Sequence, residues 1–235
     1  MGILSNLKTD SDIQSDGDSL GSRVLESDIY NFIIETNHVT RSASGAMAVN
    51  FNFKSQSGKE LKQTIYITSG DAKGNLNYYV DKSGNKRYLP GFTVVNDICL
   101  VTTGVDISEL ETEEKVLSVW NPELSKEAPT KCPVIMDLIG KEVSLAVVKV
   151  IEPKRVKDGS GTYVDSGETR TINEISKVFR AEDMKTVTEI SEESEAIFHT
   201  KWLEVNKGKD RIKKSSATAK SPTTTPSTPT KKLFS

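Results

Sequence analysis

Histidine and cysteine are nearly missing from this 235-residue chain, which has two of each. His38 and His199 stand far apart and Cys99 and Cys132 form no CxxC pair, so no metal-ligand spacing is present. Two cysteines are too few for a disulfide scaffold and fit a reducing compartment. Also absent are the GxSxG, HExxH, P-loop and GxGxxG patterns that position nucleophiles, zinc or phosphates. Carboxylates are plentiful, but a metal-dependent nuclease would have to draw on Asp71, Asp81 and Asp97, whose spacing does not recommend them. The chain is therefore expected not to be an enzyme, with no catalytic residue, no metal site and no cofactor. No apolar run approaches the roughly 18 residues of a membrane span, and no basic-then-apolar leader opens the sequence. The expectation is a soluble cytoplasmic chain with no membrane partner.

Large apolar side chains are also thin at both ends. Hydrophobic residues make up 35% of the whole, below the globular average, and the deficit sits in residues 5–28 and 207–235. The expected organisation is an acidic flexible segment over 1–28, one folded domain over 29–206, and a disordered Lys/Ser/Thr/Pro-rich tail over 207–235. Charge follows the same division. The net charge of −2 hides an acidic head, with Asp10, Asp12, Asp16 and Asp18, and a basic tail. Residues 201–235 hold nine lysines and arginines against Glu204 and Asp210. The tail closes on Leu233 and Phe234, an apolar tip on a basic tether and a candidate docking point for a protein partner.

One basic island interrupts the acidic middle. Residues 51–90 carry Lys54, Lys59, Lys62, Lys73, Lys82, Lys86 and Arg87 against Glu60, Asp71 and Asp81. The same window, extended to Phe92, collects seven of the fifteen aromatic residues. Cations with exposed aromatics are what phosphate binding and base stacking require; a strand-rich segment with solvated lysines has the same composition.

Periodicity gives the scaffold. Asp28–Glu35 reads as a strand. Met47, Val49, Phe51 and Phe53 alternate with Ala48, Asn50, Asn52 and Lys54, the clearest period-2 signal in the chain. Leu61–Thr68 forms the next strand, with Gln63 interrupting its apolar face. The pair predicts a hairpin whose second face bears Asn50, Asn52, Lys54, Lys62 and Tyr66. A basic hairpin follows, turning at Asp81–Asn85 and carrying Tyr78, Tyr79 and Tyr88. Phe92–Thr102 has helical spacing with Gly104 as its C-cap, which makes Cys99 a core thiol. Further on come a strand through Trp120, a short helix at Pro133–Leu138 and an apolar strand at Val143–Val150. A polar loop over 153–169, a strand at Asn173–Phe179 and a helix capped at Ser191 and bearing Trp202 complete the pattern. Many short strands, few helices and no βαβ alternation predict a mainly β fold: an OB-like antiparallel barrel or curved sheet with inserted helices. The candidate nucleic-acid-binding residues are Lys54, Lys62, Tyr66, Tyr78, Lys86, Arg87 and Tyr88, while Phe51 and Phe53 share the core parity.

A series of short fragments adds to this. Gln63-Thr64-Ile65-Tyr66-Ile67-Thr68-Ser69-Gly70, Tyr88-Leu89-Pro90-Gly91-Phe92, Glu113-Glu114-Lys115, Val119-Trp120-Asn121, Pro129-Thr130-Lys131, Leu138-Ile139-Gly140-Lys141, Asn173-Glu174-Ile175 and Val178-Phe179 occur in that order. Together they resemble the single-stranded DNA-binding proteins of lytic tailed phages, the podovirus type in particular, over roughly residues 45–205. The resemblance implies an OB-like core that coats single strands during phage replication, recombination and repair in the cytoplasm of a bacterial host. It implies no particular contact residues. Where many such proteins end in an acidic tip, this chain has no acidic residue after Asp210. Single-stranded DNA is thus the expected partner, with viral or host replication, recombination or transcription proteins engaged through the tail. The alternative expectation is a protein-interaction adaptor that engages a viral or host polymerase through that tail, which the acidic middle favours.

Overall fold

The computed structural model describes residues 24–121, 124–159, 161 and 163–214. The candidate docking residues Leu233 and Phe234, and most of the acidic head, lie outside the described residues. The fold is mainly β with inserted helices. A meander of β1 (Asp28–Arg41), β2 (Met47–Lys54) and β3 (Glu60–Tyr66) begins it. The long β1 serves two partners: Ile33–Arg41 pairs with β2, and Asp28–Ile33 pairs with β8 (Glu142–Lys157), with a bulge at Glu35 between Ile34 and Thr36. β8 continues into β9 (Tyr163–Arg180) as a long antiparallel hairpin. The resulting order, β3-β2-β1-β8-β9, is that of an OB-like barrel, but no ladder joins β3 to β9. The sheet is therefore curved and open along one seam.

Gln63, the polar residue on the otherwise apolar face of β3, sits at that seam. Its Nε2 donates to the Asn173 carbonyl at 3.1 Å, so one side chain spans the gap that the ladder leaves. Helix α1 (Pro90–Thr103) fills the concave side. Pro90 opens it, where a missing N–H costs nothing, and Gly104 closes it in the left-handed conformation, φ 82°, donating to Leu100 O. Its Val95, Ile98, Cys99 and Val101 pack with Phe32, Ile34, Val49, Phe51, Phe53, Leu145 and Val178 in the main core. Phe51 and Phe53 stack at 5.0 Å, and burial pushes the Cys99 thiol up to about 12, as a core thiol requires. A Cβ on Gly91 would stand 2.1 Å from the Tyr66 carbonyl, so only glycine lets the helix start against the end of β3.

β8 reads as a continuous apolar run because both of its faces are covered. Val143, Leu145 and Val147 face the main core, while Ala146, Val148 and Val150 meet Phe179 and Trp202 in a second cluster. Trp202 comes from α3 (Phe198–Asn206), which follows the short α2 (Val187–Ser191). The helix read as capped at Ser191 begins only at Phe198, Ser191 instead ends the preceding α2, and Glu189 caps both helices. Its carboxylate accepts from Thr186 N at the start of α2 and from Ile197 N and Phe198 N at the start of α3, at 2.7–2.9 Å.

Two hairpins leave the sheet: β4 (Tyr78–Val80) with β5 (Lys86–Tyr88), and β6 (Thr112–Asn121) with β7 (Lys126–Ile135). β7 replaces the first half of the short helix expected at Pro133–Leu138, and Met136–Leu138 makes a 3-10 turn. The stretch 153–169, expected as a loop, is mostly the outer part of the β8–β9 hairpin. Order extends past both limits read from the sequence. Leu25 packs on the main core, and β10 (Arg211–Ile212) pairs in parallel with β8 at Val150 and Ile151. Among the described residues no helix is long and apolar enough to cross a membrane.

Candidate nucleic-acid interface

The registers of β1, β2 and β3 set three cross-strand rows on the convex face: Thr36–Asn52–Lys62, His38–Asn50–Thr64 and Thr40–Ala48–Tyr66. Period-2 alternation puts these side chains opposite the core-facing Val49, Phe51 and Phe53. The face is polar and internally tied. Asn50 Nδ2 donates to Thr40 Oγ1 at 2.8 Å, and the Thr64 hydroxyl donates to Asn50 Oδ1 at 2.6 Å. Asn52 Nδ2 donates to Glu35 at 3.1 Å, while Asn52 Oδ1 is buried without a partner among the described residues. Burial lowers the His38 pKa, so its ring is neutral at pH 7.

The β6–β7 hairpin stands beside this face and closes a groove of about 440 Å³. Its wall includes Ser118, Val119, Trp120 and Glu127, and Trp120 is 63% exposed. The root of the hairpin is fixed by a buried asparagine. Asn37 Nδ2 donates to Ile135 O and Asn37 Oδ1 accepts from Ile135 N, both at 2.9 Å, so the side chain acts as a strand partner for β7.

The seven residues singled out from the sequence divide into two groups. Lys54, Lys62 and Tyr66 are all on β2 and β3. Lys54 pairs with Glu35 at 3.3 Å, Lys62 lines the groove without an ion-pair partner among the described residues, and Tyr66 is 52% exposed. The other four are on the β4–β5 hairpin. Register places Tyr78, Tyr88 and Lys86 on one side, with Lys86 Nζ 4.8 Å from the Tyr78 ring centroid. Arg87 falls on the opposite side with Tyr79 and is held by Asp81 at 2.6 Å. The hairpin meets the end of β3 through the start of α1. Gly91 abuts Tyr66, and the Phe92 ring lies 5.0 Å from that of Tyr88.

Sequence reasoning missed Trp120 and the row partners Thr36, His38 and Thr40. β7 contains Pro129 and Pro133, which obscure its strand character, and without β7 Trp120 has no visible place in a groove. The available signal was a tryptophan just before an Asn-Pro turn, with a second extended stretch of matching length beyond it. Asp71, Asp81 and Asp97 do not converge: they bind Arg41, Arg87 and Lys177 respectively. Among the described residues no group of three or more His, Cys, Asp or Glu could hold a metal ion.

The groove's charged lining is Lys62 and Glu127, which cancel, while the β4–β5 hairpin, with Lys82, Lys86 and Arg87 against Asp81, supplies the excess of cations. Chemically, the groove offers amides, hydroxyls and an indole for bases, and the cations for phosphates stand at its β3 edge and beyond. No protein-family model matches the chain, and no curated protein matches it significantly.

Proposed function

We propose that this protein is a non-catalytic, largely sequence-independent single-stranded DNA-binding protein that coats strands during phage replication and recombination in the host cytoplasm. The observation that supports it best is the groove between the convex face of β1–β2–β3 and the β6–β7 hairpin. It joins a polar floor to an exposed indole on the face of an OB-like sheet that single strands occupy in such folds. Trp120 and Tyr66 stack bases, each worth about 1–3 kcal/mol and nearly indifferent to sequence. Lys62, Lys86 and Lys54 neutralise phosphates, so affinity falls with salt at a slope near −0.7 per phosphate contacted.

The test is fluorescence anisotropy with a labelled oligo(dT) of about 30 nucleotides, long enough for a complete OB-type site. Matched duplex and RNA serve as competitors at two salt concentrations. Salt-sensitive binding that unlabelled single-stranded DNA competes best is the expected result; no binding at low salt refutes it. A protein-interaction adaptor acting through residues 215–235 predicts instead that deleting them abolishes capture of a polymerase and that no variant binds oligo(dT).

A further inference from the structure

Among the residues that line the groove, Glu127 is the one carboxylate. It is exposed, and its side chain has no hydrogen-bond or ion-pair partner among the described residues. Glu35, the acid nearest the floor, is by contrast occupied by Lys54 and Asn52. A bare carboxylate in a groove that takes a polyanion is unfavourable wherever phosphates pass, because like charges at close range repel. It is tolerated where bases pass instead.

Register places it there. Glu127 on β7 stands directly opposite Trp120 on β6, which sets their Cβ atoms about 5 Å apart on one side of the hairpin. The exposed indole offers a face for stacking. A base laid on that face presents its hydrogen-bonding edge beyond the ring, within reach of the side chain at the neighbouring position. A carboxylate only accepts hydrogen bonds, and unpaired bases differ in what that edge donates. Guanine has two adjacent donors, N1–H and the N2 amine, which match the two oxygens of a carboxylate. Cytosine and adenine each have one amine beside a ring-nitrogen acceptor, and thymine has a single N3–H between two carbonyl oxygens that repel a carboxylate.

We infer that Glu127 and Trp120 form a guanine-selective position in the groove: the indole stacks the base, and the carboxylate accepts from its N1–H and N2 amine. This rests on the single-strand reading above and refines it. The strand is held largely without regard to sequence, but one nucleotide in each site is preferred as guanine. Lys62, the cation of the groove lining, is left for phosphate, so the two charges of the groove serve the two halves of a nucleotide.

The experiment is competition against labelled oligo(dT) by unlabelled strands of about 30 nucleotides. These are thymine throughout except that every fifth base is guanine, adenine, cytosine or hypoxanthine, so no run of guanines can fold on itself. Adenine controls for purine stacking, and hypoxanthine keeps the N1–H but lacks the N2 amine. The guanine strand competes about tenfold better than the all-thymine strand, the scale of one good bidentate contact to a base, and the other three fall between them. In Glu127→Gln, whose exposed position leaves the fold intact, the amide puts a donor where the second acceptor stood. The guanine and thymine strands then come within about twofold of each other, the residue of unequal stacking. Equal competition by guanine and hypoxanthine, or a guanine preference that survives in Glu127→Gln, overturns the assignment. Binding that is the same for every strand overturns it and leaves the single-strand reading standing, whereas no binding of any strand removes both.

Discussion

The two hairpins that leave the curved sheet are built by opposite rules. β4–β5 has three residues in each strand and is held together from within. Asp81 accepts from Ser83 N and Asn85 N at 2.9 and 3.0 Å and pairs with Arg87, so the turn and the returning strand share one carboxylate. β6–β7 has ten residues in each strand and is held from outside. Its clamp is Asn37, 98 positions before Ile135 in the sequence. An isolated hairpin is marginal in water, so the longer arm depends on that clamp to keep Trp120 beside the sheet. A locally closed hairpin carries its chemistry wherever it goes, whereas a remotely clamped one has chemistry only in its folded place.

The largest expected effect breaks the clamp. Asn37→Ala leaves the Ile135 N–H and C=O unpaired in a buried place and costs about 2–4 kcal/mol, read by urea unfolding. It also weakens oligo(dT) binding, because the groove loses its wall. Unchanged stability would show that β7 is held by other contacts. A control remote from both hairpins is Glu189. Burial alone would raise its carboxyl, but bonds from Thr186, Phe198 and Ile197 outweigh this and hold it down at about 2, below the ordinary 4.5. A depressed carboxyl stabilises the fold fully above about pH 4.5, and that contribution is lost as pH falls toward 2. Glu189→Gln therefore lowers stability at pH 7 by about 2–3 kcal/mol, and the difference from the parent chain shrinks on acidification. A difference that stays constant down to pH 2.5 would contradict the dual-cap assignment.

The same contrast explains what the sequence reveals. β2, β3 and α1 are legible because their burial follows a fixed period: Phe51 and Phe53 fall inward, Asn50 and Asn52 outward, and Val95, Ile98 and Cys99 lie along one helical face. The basic tyrosine-bearing hairpin is legible because its turn and cations are consecutive. β7 is not, since prolines at 129 and 133 mask it and the residue that fixes it lies in β1. The outer β8–β9 hairpin reads as a loop because most of its side chains are solvated beyond Pro153, so no alternation survives. Gln63 looks like an error in the pattern until the seam gives it a partner. Candidate residues on β2 and β3 were thus found by period, those on β4–β5 by composition, and Trp120 by neither.

Next in size is the stacking contrast between the hairpins. Trp120→Ala weakens oligo(dT) binding about tenfold, the loss of one good stack, and leaves stability within about 0.5 kcal/mol because the ring is exposed. Tyr66→Ala with Tyr88→Ala costs about fivefold, less than two full stacks, because Tyr88 already has a partner in Phe92. Anisotropy titrations of both variants under one salt condition rank the arms directly. A larger loss for the tyrosine pair would move the principal stacking surface from β6–β7 to the ends of β3 and β5.

The smallest effect has the opposite sign. Arg87 was expected to meet phosphate, yet Asp81 accepts its Nε–H at 2.6 Å and offsets its charge. The Asp81 carboxyl is lowered chiefly by that bond, so it remains ionised at neutral pH. Asp81→Asn removes the offset while an amide oxygen can still accept from the turn N–H groups. Local charge rises by one, and oligo(dT) binding at low salt tightens by about twofold, the scale of one partly screened phosphate contact. High salt erases the gain, because screening acts on the new charge and leaves stacking alone. If Asp81→Asn weakens binding instead, the ion pair is there to hold the hairpin in its binding shape, and β4–β5 depends on its internal clamp as much as β6–β7 depends on Asn37.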